Sequence, residues 1–220
     1  MPNRAVLWTE RLLLTAGVIL IGGWATVVLQ ARVFGARQER RLERMIASTA
    51  ALAAPPAAPG APGAPRRKPE APSSRTPRAP EDLVGRIEIP RLSLRAIVAE
   101  GVSSRTLRLA VGHLPGSALP GDDGNVVLAA HRDTFFRPLR DVRPGDSVVI
   151  TTPEGRFEYT VESAQVVDPT RTDLLETGDA PALTLVTCYP FVMVGNAPDR
   201  FVVRARFDRK IRMASGRPPA

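Results

Sequence analysis

Between Arg11 and Arg32 the chain reads LLLTAGVILIGGWATVVLQA, 20 residues without a charge. At about 1.5 Å of rise per residue, a helix of that length covers about 30 Å, the hydrocarbon thickness of a bilayer. Nothing nearby is long enough to surround it as a core helix. The run also exceeds the apolar core of a signal peptide, and no clean small-x-small site follows it. It therefore reads as an uncleaved single-pass anchor at 12–31 after a short tail at 1–11. Arg4 and Arg11 precede it, whereas Arg32, Arg37, Arg40, Arg41 and Arg44 follow it. Counting those flanking cations alone would place the C-terminal side in the cytoplasm.

The whole chain of 220 residues carries 30 Lys plus Arg against 22 Asp plus Glu, a net charge of +8. That excess invites a nucleic-acid reading until its distribution is examined. Residues 1–80 hold +8, residues 81–208 hold −4, and residues 209–220 hold +4. Whatever folds in the middle is mildly acidic, so clustered phosphate neutralisation is not its business and no nucleic-acid partner is expected. Anionic lipid or wall polymer suits the basic segments better. Arg outnumbers Lys 28 to 2, which weakens any argument from a single Arg.

Residues 32–54 suit a juxtamembrane helix by intrinsic propensity. Residues 55–81 follow with nine Pro among Ala, Gly, Ser and Arg, and read as a semi-rigid stalk. From 82 to 208 the pattern changes to short β-branched or alternating runs bounded by Pro and Gly. Strands are expected at 84–90, 95–100, 125–131, 146–151, 156–167, 182–188 and 200–207. One brief helix fits Ser103 to Ala110, with Ser103 or Ser104 as its N-cap. Such a pattern without repeated helical crossovers argues for an all-β domain, a mostly antiparallel barrel or sandwich. The tail at 209–220 is basic and is expected to fray.

Three segments carry candidate chemistry. Cys188, the one Cys, closes the apolar run ALTLVTC just before Tyr189 and Pro190, where the ladder must break. At a strand end it is either a nucleophile facing a cleft or a buried core thiol. His131 ends NVVLAAH in the same way. His113, among turn-formers in VGHLPGSALPGDDGN, reads more simply as a surface or turn residue. Arg200 opens RFVVRARF, where it could stabilise an oxyanion or simply be an exposed Arg on an edge strand. A distant Cys and His brought together by a fold form a known nucleophile pair. Two His and one Cys without ligand-like spacing give little support for a metal.

Taken together, GHLPGSALPGDDGN, AAHRDTFFRPLRDVRPGD, TLVTCYPF and VGNAPDRFVV resemble the sortase family of bacterial cysteine transpeptidases, most like its class D branch. The resemblance spans roughly residues 82–207. It implies a closed eight-stranded β-barrel with short helices, here preceded by the transmembrane helix. It also implies that Cys188 is the nucleophile, His131 its acid/base partner and Arg200 the oxyanion or substrate-aligning residue. Thr187 matches as well, as a residue shaping the substrate cleft. Ala130 stands before the histidine where Gly is more usual. LPGSA at 114–118 looks superficially like a sorting signal but lacks the hydrophobic span and charged tail, and is taken as structure.

The implied reaction cleaves an LPXT-type sorting signal after Thr through a thioacyl enzyme. The acyl group then passes to an amine acceptor, a cell-wall peptide or a pilin Lys. No cofactor is expected, and a calcium requirement stays open. The catalytic domain is expected on the extracytoplasmic side of the cell membrane, against the flanking-charge count, because sorting signals are met there. The alternatives are an idle membrane-anchored β-domain that binds surface peptides, and a sortase-like peptidase that only hydrolyses. No G-x-S-x-G elbow supports a serine hydrolase.

Overall fold

The computed structural model describes residues 4–53, 82–176, 178, 180–193 and 195–211. The expected stalk at 55–81 lies outside these residues, as does the tail beyond 211. Eight strands form one closed barrel in the order β1-β2-β3-β4-β7-β8-β6-β5. They are β1 (Leu83–Ile89), β2 (Leu94–Glu100), β3 (Val111–His113), β4 (Asn125–Ala129), β5 (Ser147–Thr152), β6 (Gly155–Val167), β7 (Ala182–Tyr189) and β8 (Asp199–Ile211). Most neighbours are antiparallel, while β2 with β3 and β4 with β7 run parallel.

Alternation in sequence becomes alternation across the barrel wall. In β6, Phe157, Tyr159 and Val161 are buried, while Glu162 on the other face is exposed. The barrel is filled by side chains such as Ile87, Leu128, Phe136, Ile150, Leu183 and Val203, each fully buried. Closure removes the edges that a sandwich would expose. The alternative that Arg200 is simply an exposed residue on an edge strand is thereby corrected, because β8 is hydrogen-bonded to both β6 and β7.

β3, only three residues long, lies in a segment whose glycines and prolines suggest a turn. A Cβ on Gly112 would lie 2.4 Å from the carbonyl oxygen of Gly101, so only glycine lets β3 come this close to the end of β2. His113 is correspondingly 2% exposed, not a surface residue. Its Nδ1 lies 2.9 Å from the Glu100 carboxylate, and its Nε2 donates to the Ala118 carbonyl at 2.9 Å. The short helix α2 (Ser104–Leu109) forms as expected, with the Ser103 side chain accepting from the Thr106 amide.

The N-terminal segments expected at 12–31 and 32–54 form one continuous helix, α1 (Arg4–Ala53). Its first half exposes Leu13, Ile19, Leu20 and Trp24, all at least 69% accessible. A helix apolar all round needs an apolar surrounding. Its second half docks on the barrel: Leu42 is fully buried against Leu83, Ile97, Ala99 and Ala110. Glu39 pairs there with Arg86 on β1 and Arg95 on β2. Burial raises the pKa of Glu39, but hydrogen bonds and charge from these two arginines outweigh it and leave it below its usual value.

At the other end, the strand runs past the boundary expected at residue 209. Arg209 donates to Glu158 at 2.7 Å, and the Lys210 ammonium sits 5.0 Å from the centre of the Phe157 ring. Cross-strand pairs of this kind extend a ladder beyond its apolar residues.

Candidate active site

Three adjacent strands, β4, β7 and β8, bring the candidate residues to one end of the barrel. Cys188 lies on β7 and faces Arg200 on β8 as its direct partner in the ladder. Such partners share a face of the sheet. Leu183 and Leu185 point into the core, so the period of two turns Thr184, Val186 and Cys188 to the outer face. The thiol is half-buried, not lost in the interior.

His131 follows β4. The parallel register sets Ala129 against Val186, and the Ala130 amide donates to the Val186 carbonyl. Carried on by two residues, that register sets His131 level with Cys188. The Thr187 hydroxyl donates to the Ala130 carbonyl at 2.7 Å and locks the two strand ends together. Thr187 is itself 3% exposed, on the face opposite Cys188. Ala130 is buried in the core cluster, so its methyl group is accommodated at the position where Gly was expected.

Beyond His131 the chain turns sharply, with the Phe136 amide donating back to the His131 carbonyl. Phe136 and Leu139 then plug the barrel. Among the described residues no side-chain hydrogen bond joins Cys188, His131 and Arg200 directly. The Arg200 guanidinium instead donates to the carbonyls of Ala197 and Asp199.

A residue overlooked in the sequence ties these parts together. Arg132, next to His131, donates to the carbonyls of Pro190 at 2.8 Å, Met193 at 3.1 Å and Gly195 at 2.9 Å. All three lie on the loop between Cys188 and Arg200. One guanidinium, with its fixed fork of donors, thus fastens the histidine turn to that loop. In a chain so rich in Arg, position beside His131 was the only signal that could have found it. Farther along the outer face, Asn125 and Arg204 both donate to the Leu174 carbonyl and tie the segment before β7 to the sheet. Tyr189, Phe191 and Phe201 cluster behind the loop with ring centres 5.2 to 6.4 Å apart.

A closed eight-stranded barrel thus carries Cys188 and Arg200 side by side at the rim, next to the strand end that leads to His131. The sortase domain family matches residues 87–208, and the chain belongs to that family. Sortase D of Bacillus subtilis is 35% identical over 120 residues, which cover 54% of this chain and 61% of that protein. Sortase A of Listeria monocytogenes is 29% identical over 110 residues, covering 48% of this chain and 49% of that one. The chain thus spans about half to three fifths of these curated relatives.

Among solved structures, the Sortase D5 transpeptidase of Clostridium perfringens matches with a TM-score of 0.54 at 30% identity, covering 58% of this chain and 80% of that one. Sortase A from Corynebacterium diphtheriae matches at 0.55 and 32% identity, covering 60% and 63%.

Proposed function

We propose that the protein is a membrane-anchored cysteine transpeptidase that acts on an LPXT-type sorting signal. The observation that carries this reading is the position of Cys188, between the strand end bearing His131 and its ladder partner Arg200, in a sortase barrel.

In the proposed reaction the Cys188 thiolate attacks the carbonyl carbon of the signal's Thr, and electron density moves to the oxygen. Arg200 hydrogen-bonds that oxyanion, exchanging its contacts with Ala197 and Asp199 for the substrate. The tetrahedral adduct collapses, the C–N bond breaks, and imidazolium His131 gives its proton to the departing amine. A thioester remains on Cys188. An incoming amine, from a wall peptide or a pilin Lys, attacks the thioester carbonyl and gives its proton to His131. Expulsion of the thiolate regenerates the enzyme. Thr187 acts indirectly, by holding Ala130 and so the backbone that carries His131. The exposed apolar tip formed by Val192 and Met193 suits contact with an apolar side chain of the signal.

Anchoring by α1 is supported by its exposed apolar half, and the barrel is read as extracytoplasmic because substrate and acceptor are met there. The test is turnover of LPXTA- and LPXTG-type peptides by the detergent-solubilised full chain, with and without an added amine. The expected result is an amide product that needs the amine and vanishes in Cys188→Ala. Undiminished turnover in that variant contradicts the reading. Hydrolysis alone in the presence of amine assigns a peptidase instead.

A further inference from the structure

Where α1 leaves its uncharged run it does not stand free of the barrel. A groove of about 600 Å³ opens between α1 and α2, its apolar lining being Leu29, Val33 and Phe34 from one and Leu109 from the other. Its polar lining is almost entirely cationic: Arg37 from α1, and Arg105 and Arg108 from α2. A second groove of about 400 Å³ shares Arg108 and adds Arg32 and Arg95. Neither is lined by a carboxylate. Among the described residues, Arg32, Arg37 and Arg108 have no acidic partner, in contrast to Arg86 and Arg95, which close on Glu39.

Resting on the anchoring reading, we propose that this groove binds the phosphate headgroup of an anionic phospholipid, with an acyl chain along Leu29, Val33 and Phe34. Three observations favour lipid over a soluble anion. The groove begins at residue 29, inside the uncharged run ending at Ala31, so it opens at the membrane boundary. Its lining combines apolar side chains with cationic ones, which matches the two ends of a lipid. Its three arginines come from two elements that packing brings together, so the cluster is built by the fold and is not a run in the sequence.

Guanidinium pairs well with phosphate, and clustered arginines beside an anionic leaflet gain from its surface potential. The proposal also accounts for the cations after the span. Arg32 and Arg37 would be held outside by headgroups, which offsets the orientation that flanking charge alone implies.

The test is native mass spectrometry of the full chain released from micelles, with phosphatidylglycerol or phosphatidylcholine added. The wild type should retain phosphatidylglycerol about five-fold or more over phosphatidylcholine. The triple variant R37Q/R105Q/R108Q should lose that preference. The charge-matched variant R156Q/R171Q/R206Q, altered on the far side of the barrel, should keep it. Equal retention of both lipids overturns the proposal, as does an unchanged preference in the groove variant or its loss in the control. So does displacement of the lipid by soluble poly(glycerol phosphate) at equal phosphate, which would assign the site to a wall polymer. Vesicle flotation separates the two levels. A chain that floats with neither lipid contradicts the anchoring reading and this proposal together, whereas flotation with both and no headgroup preference contradicts the groove alone.

Discussion

Cys188 and Arg200 are direct partners in the β7–β8 ladder, so the thiol and the guanidinium issue from the same face of two hydrogen-bonded strands. Their backbone separation is set by sheet geometry and does not depend on a mobile loop. In the proposed reaction only the end of the Arg200 side chain would have to move, from the carbonyls of Ala197 and Asp199 toward substrate.

That arrangement predicts a role for Arg200 confined to charge development. Arg200→Gln should lower kcat by about 100- to 1000-fold, the usual cost of removing an oxyanion donor. The rate at which a small neutral alkylating reagent modifies Cys188 should change far less. Parallel losses in both measurements would mean that Arg200 sustains the thiol and not the oxyanion.

Arg132 is predicted to act by position. Arg132→Gln frees three carbonyls of the Pro190–Gly195 loop from the turn that carries His131. A displacement of about 1 Å in a reacting group can cost about 100-fold. We expect kcat/KM to fall at least ten-fold, with a melting temperature within a few degrees of wild type. Arg132→Lys should recover part of the loss, because a single ammonium can still reach one or two of the carbonyls. No effect of either variant on peptide cleavage would remove Arg132 from the site.

Buried His113 makes a different prediction, one of stability. Its ring nitrogens meet the Glu100 carboxylate on one side and the Ala118 carbonyl on the other. His113→Ala leaves the Glu100 carboxylate, 8% exposed, without this partner. Leaving a buried polar group without its hydrogen-bond partner costs about 1–3 kcal/mol. Urea unfolding should show that loss, and His113→Ala/Glu100→Ala together should be less destabilised than the single variant.

Acid should weaken the fold at Asp146. Asp146 accepts from the Arg91 guanidinium and from the Arg143 amide, and the Arg91 hydrogen bond above all holds its pKa below the usual carboxylate value. A group depressed in the folded state contributes stability above its unfolded pKa, about 4, and loses it as pH falls through the folded value. Between pH 7 and 5 the contribution should be constant. Below about pH 4 the wild type should lose stability faster than Asp146→Asn, in urea melts at each pH. Identical acid limbs would contradict this.

Much of the barrel could be read from the residues, for reasons that are themselves physical. In β6 and β7 one face meets the core and the other does not, so burial writes a period of two into the sequence. β3 left no such trace: it is three residues long, carries Gly112 for close approach and His113 for a buried polar bond, and so resembles a turn. Cys188, His131 and Arg200 stand out in the sequence as candidates because each closes or opens an apolar run. Arg132 was not, since its acceptors are backbone carbonyls about sixty residues away and any sequence supplies those. The docking of α1 was equally hidden. It depends on Leu42 and Glu39 meeting partners beyond a long proline-rich connection, and neither residue differs locally from any other on an amphipathic helix.

The most direct measurement of the central claim is the intact mass of the full chain after brief mixing with an LPXT-type peptide and rapid acid quench. The expected result is an adduct equal to the peptide's N-terminal part through Thr, less one water. It should map to Cys188, be absent in Cys188→Ala, and be discharged by an added amine. An unmodified chain accompanied by cleaved peptide, or an adduct on any other residue, would contradict the assignment of Cys188 as the nucleophile.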